Sequence, residues 1–325
     1  VISGELGGLA LALCCGLSLR IPVWMWNMSI TEKLLGGVQR VREYAELPWE
    51  GGSSDHAAWT AACAAPAAAA DRNWPAEGTL ELQDVHVRYQ PGLPPVLRGL
   101  NLKVQAGERV GVCGRTGSGK STLFLACFRM VEPERGRLLV DGRNAQQVPL
   151  PALRARLAIV PQDPLMFSGT LRSNLDVQGC HDDTAIWEVL RLAHLEEQVR
   201  HLRQGLDEPV QEMGSNFSAG TVQLLSIARI LLKGNAVGLV FLDECTASVD
   251  YETDAIVQAA VRQAFSGRSV ICIAHRIQTI LDYDKIAFLQ AGKLAEYGPP
   301  QELLRKRGGF FAGLVRGHRE ESTAQ

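Results

Sequence analysis

Residues 114 to 121 read GRTGSGKS, the spacing G-x-x-x-x-G-K-[ST], set between an apolar run that predicts a strand and a pattern that predicts a helix. A phosphate chain needs several backbone N–H groups aimed inward, and side chains would block its approach. Gly114, Gly117 and Gly119 remove that obstacle, while Arg115, Thr116 and Ser118 complete the loop. The following helix adds the positive end of its dipole. Lys120 can then reach β- and γ-phosphates, Ser121 can ligate Mg²⁺, and Thr122 can bond a phosphate oxygen.

A second constellation closes the apolar run VGLVFLDE, which ends in Asp243 and Glu244. A strand laid beside that of the phosphate loop would carry Asp243 to the metal, where one carboxylate suits an octahedral ion that keeps its waters. Glu244, one residue further, can take a proton from an attacking water. Paired carboxylates at a strand end also occur in plain surface turns, and it is the phosphate loop that favours the site. His275 follows the apolar run VICIA, where an imidazole can hold the γ-phosphate or the attacking water. A third stretch, NFSAGTVQ (216–223), puts small and polar residues at a predicted helix start. Ser218 can cap that helix and Gly220 bares its backbone, which suits an anion.

These groups need a scaffold of strands and helices. TLELQDVHVRY and LRGLNLKV alternate apolar and polar residues, as half-buried strands do. ERVGVCG, VGLVFLD (237–243), SVICIA (269–274) and KIAFLQ (285–290) are short and apolar, which suits strands covered on both faces. Helical patterns lie at 120–130, 183–203, 218–233, 251–265 and 276–282. The alternation predicts an α/β fold with a mainly parallel sheet and an antiparallel addition at its start.

The first fifty residues differ. GGLALALCCGLSL (7–19) is uncharged but alone too short to span a bilayer, so a buried core helix and a truncated membrane helix both fit. Arg20, Lys33, Arg40 and Arg42 follow it, and would set that side in the cytoplasm. Residues 24 to 47 predict a mostly polar helix with an apolar stripe. Residues 51 to 77 are alanine-rich, with Gly and Ser at one end and Pro66 and Pro75 interrupting; they read as a linker or a short alanine helix. Over 325 residues the net charge is -2, and no Lys/Arg-rich block appears, which argues against nucleic acid as partner. Eight cysteines show no CxxC pair and read as reduced thiols, mostly within apolar runs.

Taken in order, GRTGSGKST, IVPQD, NFSAGTVQ, VGLVFLDECTASVD and IAHR resemble the nucleotide-binding domain of ATP-binding cassette transporters, over about residues 77 to 318. PQDPLMFSGTLRSNLD, DECTASVD and the preceding VQRVREYAELPWE are similar to the second such domain of the C subfamily, the multidrug-resistance-associated proteins. The resemblance implies a P-loop (RecA-like) core with an antiparallel β subdomain and a helical signature subdomain, preceded by the end of a transmembrane helix. It divides the chain into membrane-helix end and elbow (1–50), linker (51–77), cassette (78–318) and tail (319–325).

Family roles then fall on particular residues. Tyr89 resembles the aromatic that stacks on adenine, and Gln162 the glutamine that touches Mg²⁺ or the water. Ser218, Ala219, Gly220 and Thr221 occupy the signature that faces a partner domain's γ-phosphate, and Ser248 and Asp250 the loop that crosses to that partner; Asp250 also fits a plain helix cap. The family has glutamine where Thr221 stands. Glutamine could reach back to the cap's N–H, whereas threonine is too short to do so well, so the resemblance implies a weakened signature beside a complete phosphate-loop site. The implied activity is ATP hydrolysis with ATP and Mg²⁺, coupled to export of organic anions, conjugates or drugs. The implied partners are a first nucleotide domain and the transmembrane domains of the same full-length chain, in the plasma membrane or an organellar one such as the vacuole, with the nucleotide domain facing the cytoplasm. A slow nucleotide sensor regulating a channel is the alternative reading.

Overall fold

The computed structural model describes residues 4–47, 74–75, 77–234, 237–245, 251–274 and 277–323. The expected linker lies outside them except for Trp74, Pro75 and Glu77. His275, Ser248 and Asp250 also lie outside them. The chain forms two units, each described by itself.

The first unit holds one helix, α1 (Gly4–Ala45), which runs unbroken through Pro22. The two segments expected before and after residue 22 are therefore one element. Forty-two residues at 1.5 Å each make a rod about 60 Å long, roughly twice a bilayer's hydrocarbon core. The helix is long and apolar enough to cross a membrane, by length and composition. Leu9, Leu13, Trp24 and Trp26 are all exposed on it. Two of its hydroxyls are satisfied internally: Ser18 Oγ donates to Cys14 O at 2.8 Å and Thr31 Oγ1 to Asn27 O at 2.8 Å. Such back-bonding satisfies each hydroxyl within its own helix. Charge collects at the other end, where Arg42 and Glu46 pair at 2.6 Å.

The second unit is α/β. Its strands and helices, in chain order, are β1 (Leu80–Val87), β2 (Leu97–Val104), β3 (Arg109–Gly114), α2 (Lys120–Cys127), β4 (Arg135–Val140), β5 (Arg143–Asn144), α3 (Leu150–Arg156), β6 (Leu157–Val160), β7 (Gly169–Thr170), α4 (Leu171–Leu175), α5 (Asp183–Leu192), α6 (Glu196–Arg200), β8 (Pro209–Val210), α7 (Ala219–Leu232), β9 (Leu239–Asp243), α8 (Tyr251–Ala264), β10 (Ser269–Ile273), α9 (Ile277–Ile280), β11 (Lys285–Gln290), β12 (Lys293–Gly298), α10 (Pro300–Arg305) and α11 (Phe310–Thr323). Short 3₁₀ turns lie between some of these.

Two sheets carry the core. One is antiparallel, in the order β2-β1-β4-β5. The other runs β12-β11-β3-β10-β9-β6, parallel from β11 to β6, with β12 as an antiparallel edge. Its inner strands are apolar because both faces are covered: β10, SVICI, is buried at every residue. One face packs on α2 and the antiparallel sheet, where Phe241 meets Phe124 and Phe128 edge-on, ring centres 5.0 Å apart in each case. The other face packs on the helical block around α5 and α7.

Three features depart from expectation. The helix predicted over 183–203 breaks into α5 and α6, with His194 at φ 57 between them. That turn lets Leu195 and Val199 both reach the core. The packed domain begins before residue 78: Trp74 is buried and its indole N–H donates to Val140 O at 3.0 Å. Asp141 holds the same stretch by accepting from the N–H groups of Glu77, Gly78 and Thr79. Finally, β9 does not lie beside β3, because β10 stands between them.

Candidate nucleotide site

The ends of the parallel strands bring the candidate residues together, as open α/β sheets do at their carboxyl edge. β3 ends at Gly114, the loop follows, and α2 begins at Lys120. Only glycine fits two of these positions. A Cβ on Gly114 (φ +149) would sit 2.2 Å from Leu289 O, and one on Gly119 (φ +102) would sit 2.8 Å from Leu97 Cδ2. Gly117 (φ +77) has open space around it instead. Ser118 N–H donates to Arg115 O at 3.1 Å, closing the loop, and Gly292 N–H donates to Ser118 O at 3.0 Å.

Lys120 Nζ donates to the loop's own carbonyls, Gly114 O at 3.0 Å and Arg115 O at 3.3 Å. The ammonium is thus held over the loop. Ser118 Oγ is buried without a hydrogen-bond partner. Tyr89 is half exposed, and its hydroxyl lies 3.0 Å from Thr122 Oγ1. Behind the loop, burial pushes the Cys113 thiol up to about 12, against the pull of Lys120. Cys127, Cys245 and Cys272 are buried free thiols too, while Cys14, Cys15 and Cys180 are exposed.

The carboxylates arrive on β9, one strand further away than expected. Asp243 is its last residue, and burial first, then the charge of Glu244, raises its carboxyl above the usual aspartate range, with Lys120 opposing. Glu244 turns off the strand with φ 45, a left-handed backbone that a glutamate seldom adopts, and its N–H donates to Ile273 O at 2.9 Å. The result is a cleft of about 630 Å³, lined by Val96, Cys113, Gly114 to Gly117, Gly119 to Thr122, Glu244, Ala274 and Leu314. That volume suits a small organic ligand.

Gln162 stands apart from this lining. Its side chain is exposed, and its backbone carbonyl accepts from Gln223 Nε2 of α7 at 2.7 Å. Gln223 was not a candidate from sequence, since a buried glutamine inside an apolar helix carries no spacing signal. The signature start is a capped helix: Ser218 Oγ accepts from Thr221 N–H at 3.2 Å. The Thr221 hydroxyl meets the cap's hydroxyl, 2.8 Å away, and the side-chain amide of Gln198 on α6 at 3.0 Å. Gln198 is the other residue that sequence reading missed.

The groups present fit a metal–nucleotide pair. A buried serine oxygen without a partner, glycines that admit no side chain, a lysine and one partly desolvated carboxylate together suit phosphate oxygens and a hard cation. Among the described residues no cluster of three or more His, Cys, Asp or Glu occurs.

Fold and cleft together define a phosphate-loop nucleoside-triphosphate-binding domain. The ABC transporter family model matches residues 97–247. The chain is 40% identical to ABC transporter C family member 3 of Arabidopsis thaliana, over 100% of this chain and 21% of that protein. It is 40% identical to ATP-binding cassette sub-family C member 2 of Rattus norvegicus over 95% of this chain and 19% of that protein, and 42% identical to sub-family C member 3 of Homo sapiens over 90% and 18%. It thus spans about a fifth of the length of these relatives. Among solved structures, a bacterial Atm1-family ABC exporter with ATP bound matches with a TM-score of 0.70 and 34% identity, over 75% of this chain and 42% of that one. Residues 97–247 thus belong to the ABC transporter family, and the chain as a whole is similar to proteins of its C-family branch.

Proposed function

We propose that this domain binds and hydrolyses Mg-ATP in the cleft between the phosphate loop and Glu244, and that the cycle drives a membrane exporter of organic anions or conjugates. The observation that carries the reading is the shared cleft. Bare backbone N–H groups, an ammonium, a metal-type hydroxyl and a carboxylate all line one cavity, although they come from segments more than a hundred residues apart. In this reading the N–H groups of 114–119 and Lys120 hold the phosphates, Ser121, Asp243 and Gln162 would hold Mg²⁺, and His275 would hold the γ-phosphate or the attacking water. The metal, when bound, offsets phosphate charge. Glu244 accepts the proton of the attacking water. Tyr89 stacks on the base, and Thr122 trades its tyrosine partner for a phosphate oxygen.

The start of α7, from Ser218 to Thr221, faces the γ-phosphate of a partner nucleotide domain in the same reading, and Ser248 and Asp250 cross to that partner. ATP touches both domains only when they are closed, so it biases the closed state. The apolar flank of α1 is the end of a membrane helix, in the plasma membrane or an organellar one. Glu244→Gln in the assembled transporter tests the assignment. ATP binding is expected to survive while turnover falls at least about a hundredfold, the scale for a lost general base. Normal turnover in that variant sinks the assignment.

A further inference from the structure

Thr221 is buried in the first turn of α7, and its hydroxyl has two side-chain neighbours. Ser218 Oγ lies 2.8 Å from it. The Gln198 amide lies at 3.0 Å through Nε2 and 3.4 Å through Oε1. Ser218 and Gln198 are themselves exposed. A hydroxyl oxygen has two acceptor positions and one proton. Thr221 N–H takes one acceptor position of Ser218. What remains is one acceptor position and one proton, and the relay decides where the proton points.

Two arrangements satisfy these atoms. In one, Ser218 donates to Thr221 Oγ1, and Thr221 donates to Gln198 Oε1. In the other, Gln198 Nε2 donates to Thr221 Oγ1, Thr221 donates to Ser218 Oγ, and the Ser218 proton faces outward. An amide offers both a donor and an acceptor, so Thr221 stays bonded either way. We infer that Gln198 is a positioning residue: acting through Thr221, its amide frees the Ser218 hydroxyl to donate to an incoming phosphate oxygen. This rests on the reading of the α7 start as a phosphate-facing surface. It also gives the Thr221 hydroxyl a partner from another helix.

A carboxylate at 198 separates this from simple packing. It can only accept, so it fixes the Thr221 proton on itself and draws the Ser218 proton inward. The test is a titration of the 325-residue chain, in detergent micelles, with inorganic phosphate, followed by the backbone amide signals of Ala219, Gly220 and Thr221. Gly117 and Gly119 of the phosphate loop serve as an internal reference that the variants must leave unchanged. Phosphate affinity at 219–221 is expected to fall about tenfold or more in Gln198→Glu and about threefold or more in Gln198→Met. In a Thr221→Val chain, Gln198→Met should change it by less than about twofold, because the relay is already cut. Unchanged affinity in Gln198→Met, or an equal loss in the Thr221→Val chain, overturns the inference. If the signals at 117 and 119 respond to phosphate while those at 219–221 never do, the phosphate-facing reading itself fails and takes the relay with it.

Discussion

Two glycines of one loop should respond to the same methyl for different physical reasons. At Gly114, Ala would bring its Cβ within 2.2 Å of Leu289 O and 2.8 Å of Ser118 Oγ. Leu289 belongs to β11 and pairs directly with Gly114, so the obstacle is backbone in the middle of a sheet. Relieving it means shifting a strand held on both sides. Overpacking of this kind costs about 1–3 kcal/mol, and the left-handed backbone adds about 1–2 kcal/mol more. Gly117, at φ +77, has nothing within 4 Å of its built Cβ, so Ala there costs only the backbone contribution, about 1–2 kcal/mol. Urea unfolding without nucleotide should therefore rank wild type above Gly117→Ala and that above Gly114→Ala. Equilibrium ATP binding should weaken in both, about tenfold or more for Gly117→Ala, because its methyl stands in the cleft where bare backbone is needed. Equal unfolding losses, or tight ATP binding by Gly117→Ala, would refute the assignment of steric cost to one glycine and ligand approach to the other.

Two further outcomes follow from the same cleft. Tyr89→Phe removes the hydroxyl that meets Thr122, so the nucleotide-free domain should lose about 0.5–1.5 kcal/mol, with a smaller loss in saturating Mg-ATP; equal losses in both states would oppose the exchange of partners at Thr122. Asp243 has its carboxyl raised, chiefly by burial, so its contribution favours folding below the ordinary aspartate range and is lost as pH rises through the raised value. Asp243→Asn should then raise the nucleotide-free Tm at neutral pH, with the gain vanishing in acid where both forms are neutral; a lowered Tm at neutral pH would show that the charge is not a net cost.

Much of the fold is legible in the residues because the cue and the structure share one segment. The continuous apolar runs become the inner strands β3, β9, β10 and β11, since strands covered on both faces need no alternation. β4 and β12 escape this logic. Arg135 and Arg137 interrupt one and stay exposed; Lys293 and Glu296 interrupt the other, where Glu296 is buried and its carboxylate accepts from Phe311 N–H at 2.9 Å. Strand order is a different matter. Nothing in VGLVFLD or SVICIA says which of them touches β3, and the sheet interposes β10. Glu244 still reaches the cleft because β9 is parallel to β10 in register, with Asp243 opposite Ile273, and because Glu244 leaves the strand with its N–H on Ile273 O.

The site divides along the same line. Gly114, Gly119 and Lys120 are readable because a single loop both contains them and performs the chemistry. Thr221 is only half legible, because a second partner of its hydroxyl sits on another helix. From Ser218 alone, threonine at the third helical position looks too short to complete the cap. In the fold its hydroxyl meets Ser218 Oγ directly, and the longer polar group comes from Gln198, twenty-three positions earlier in the chain. What joins them is the turn at His194, which ends α5 and aims α6 at the base of α7. A helix start can thus be completed by its neighbour, and a departure from the family's pattern at one position predicts lost function only after the packing around it has been searched for the missing group.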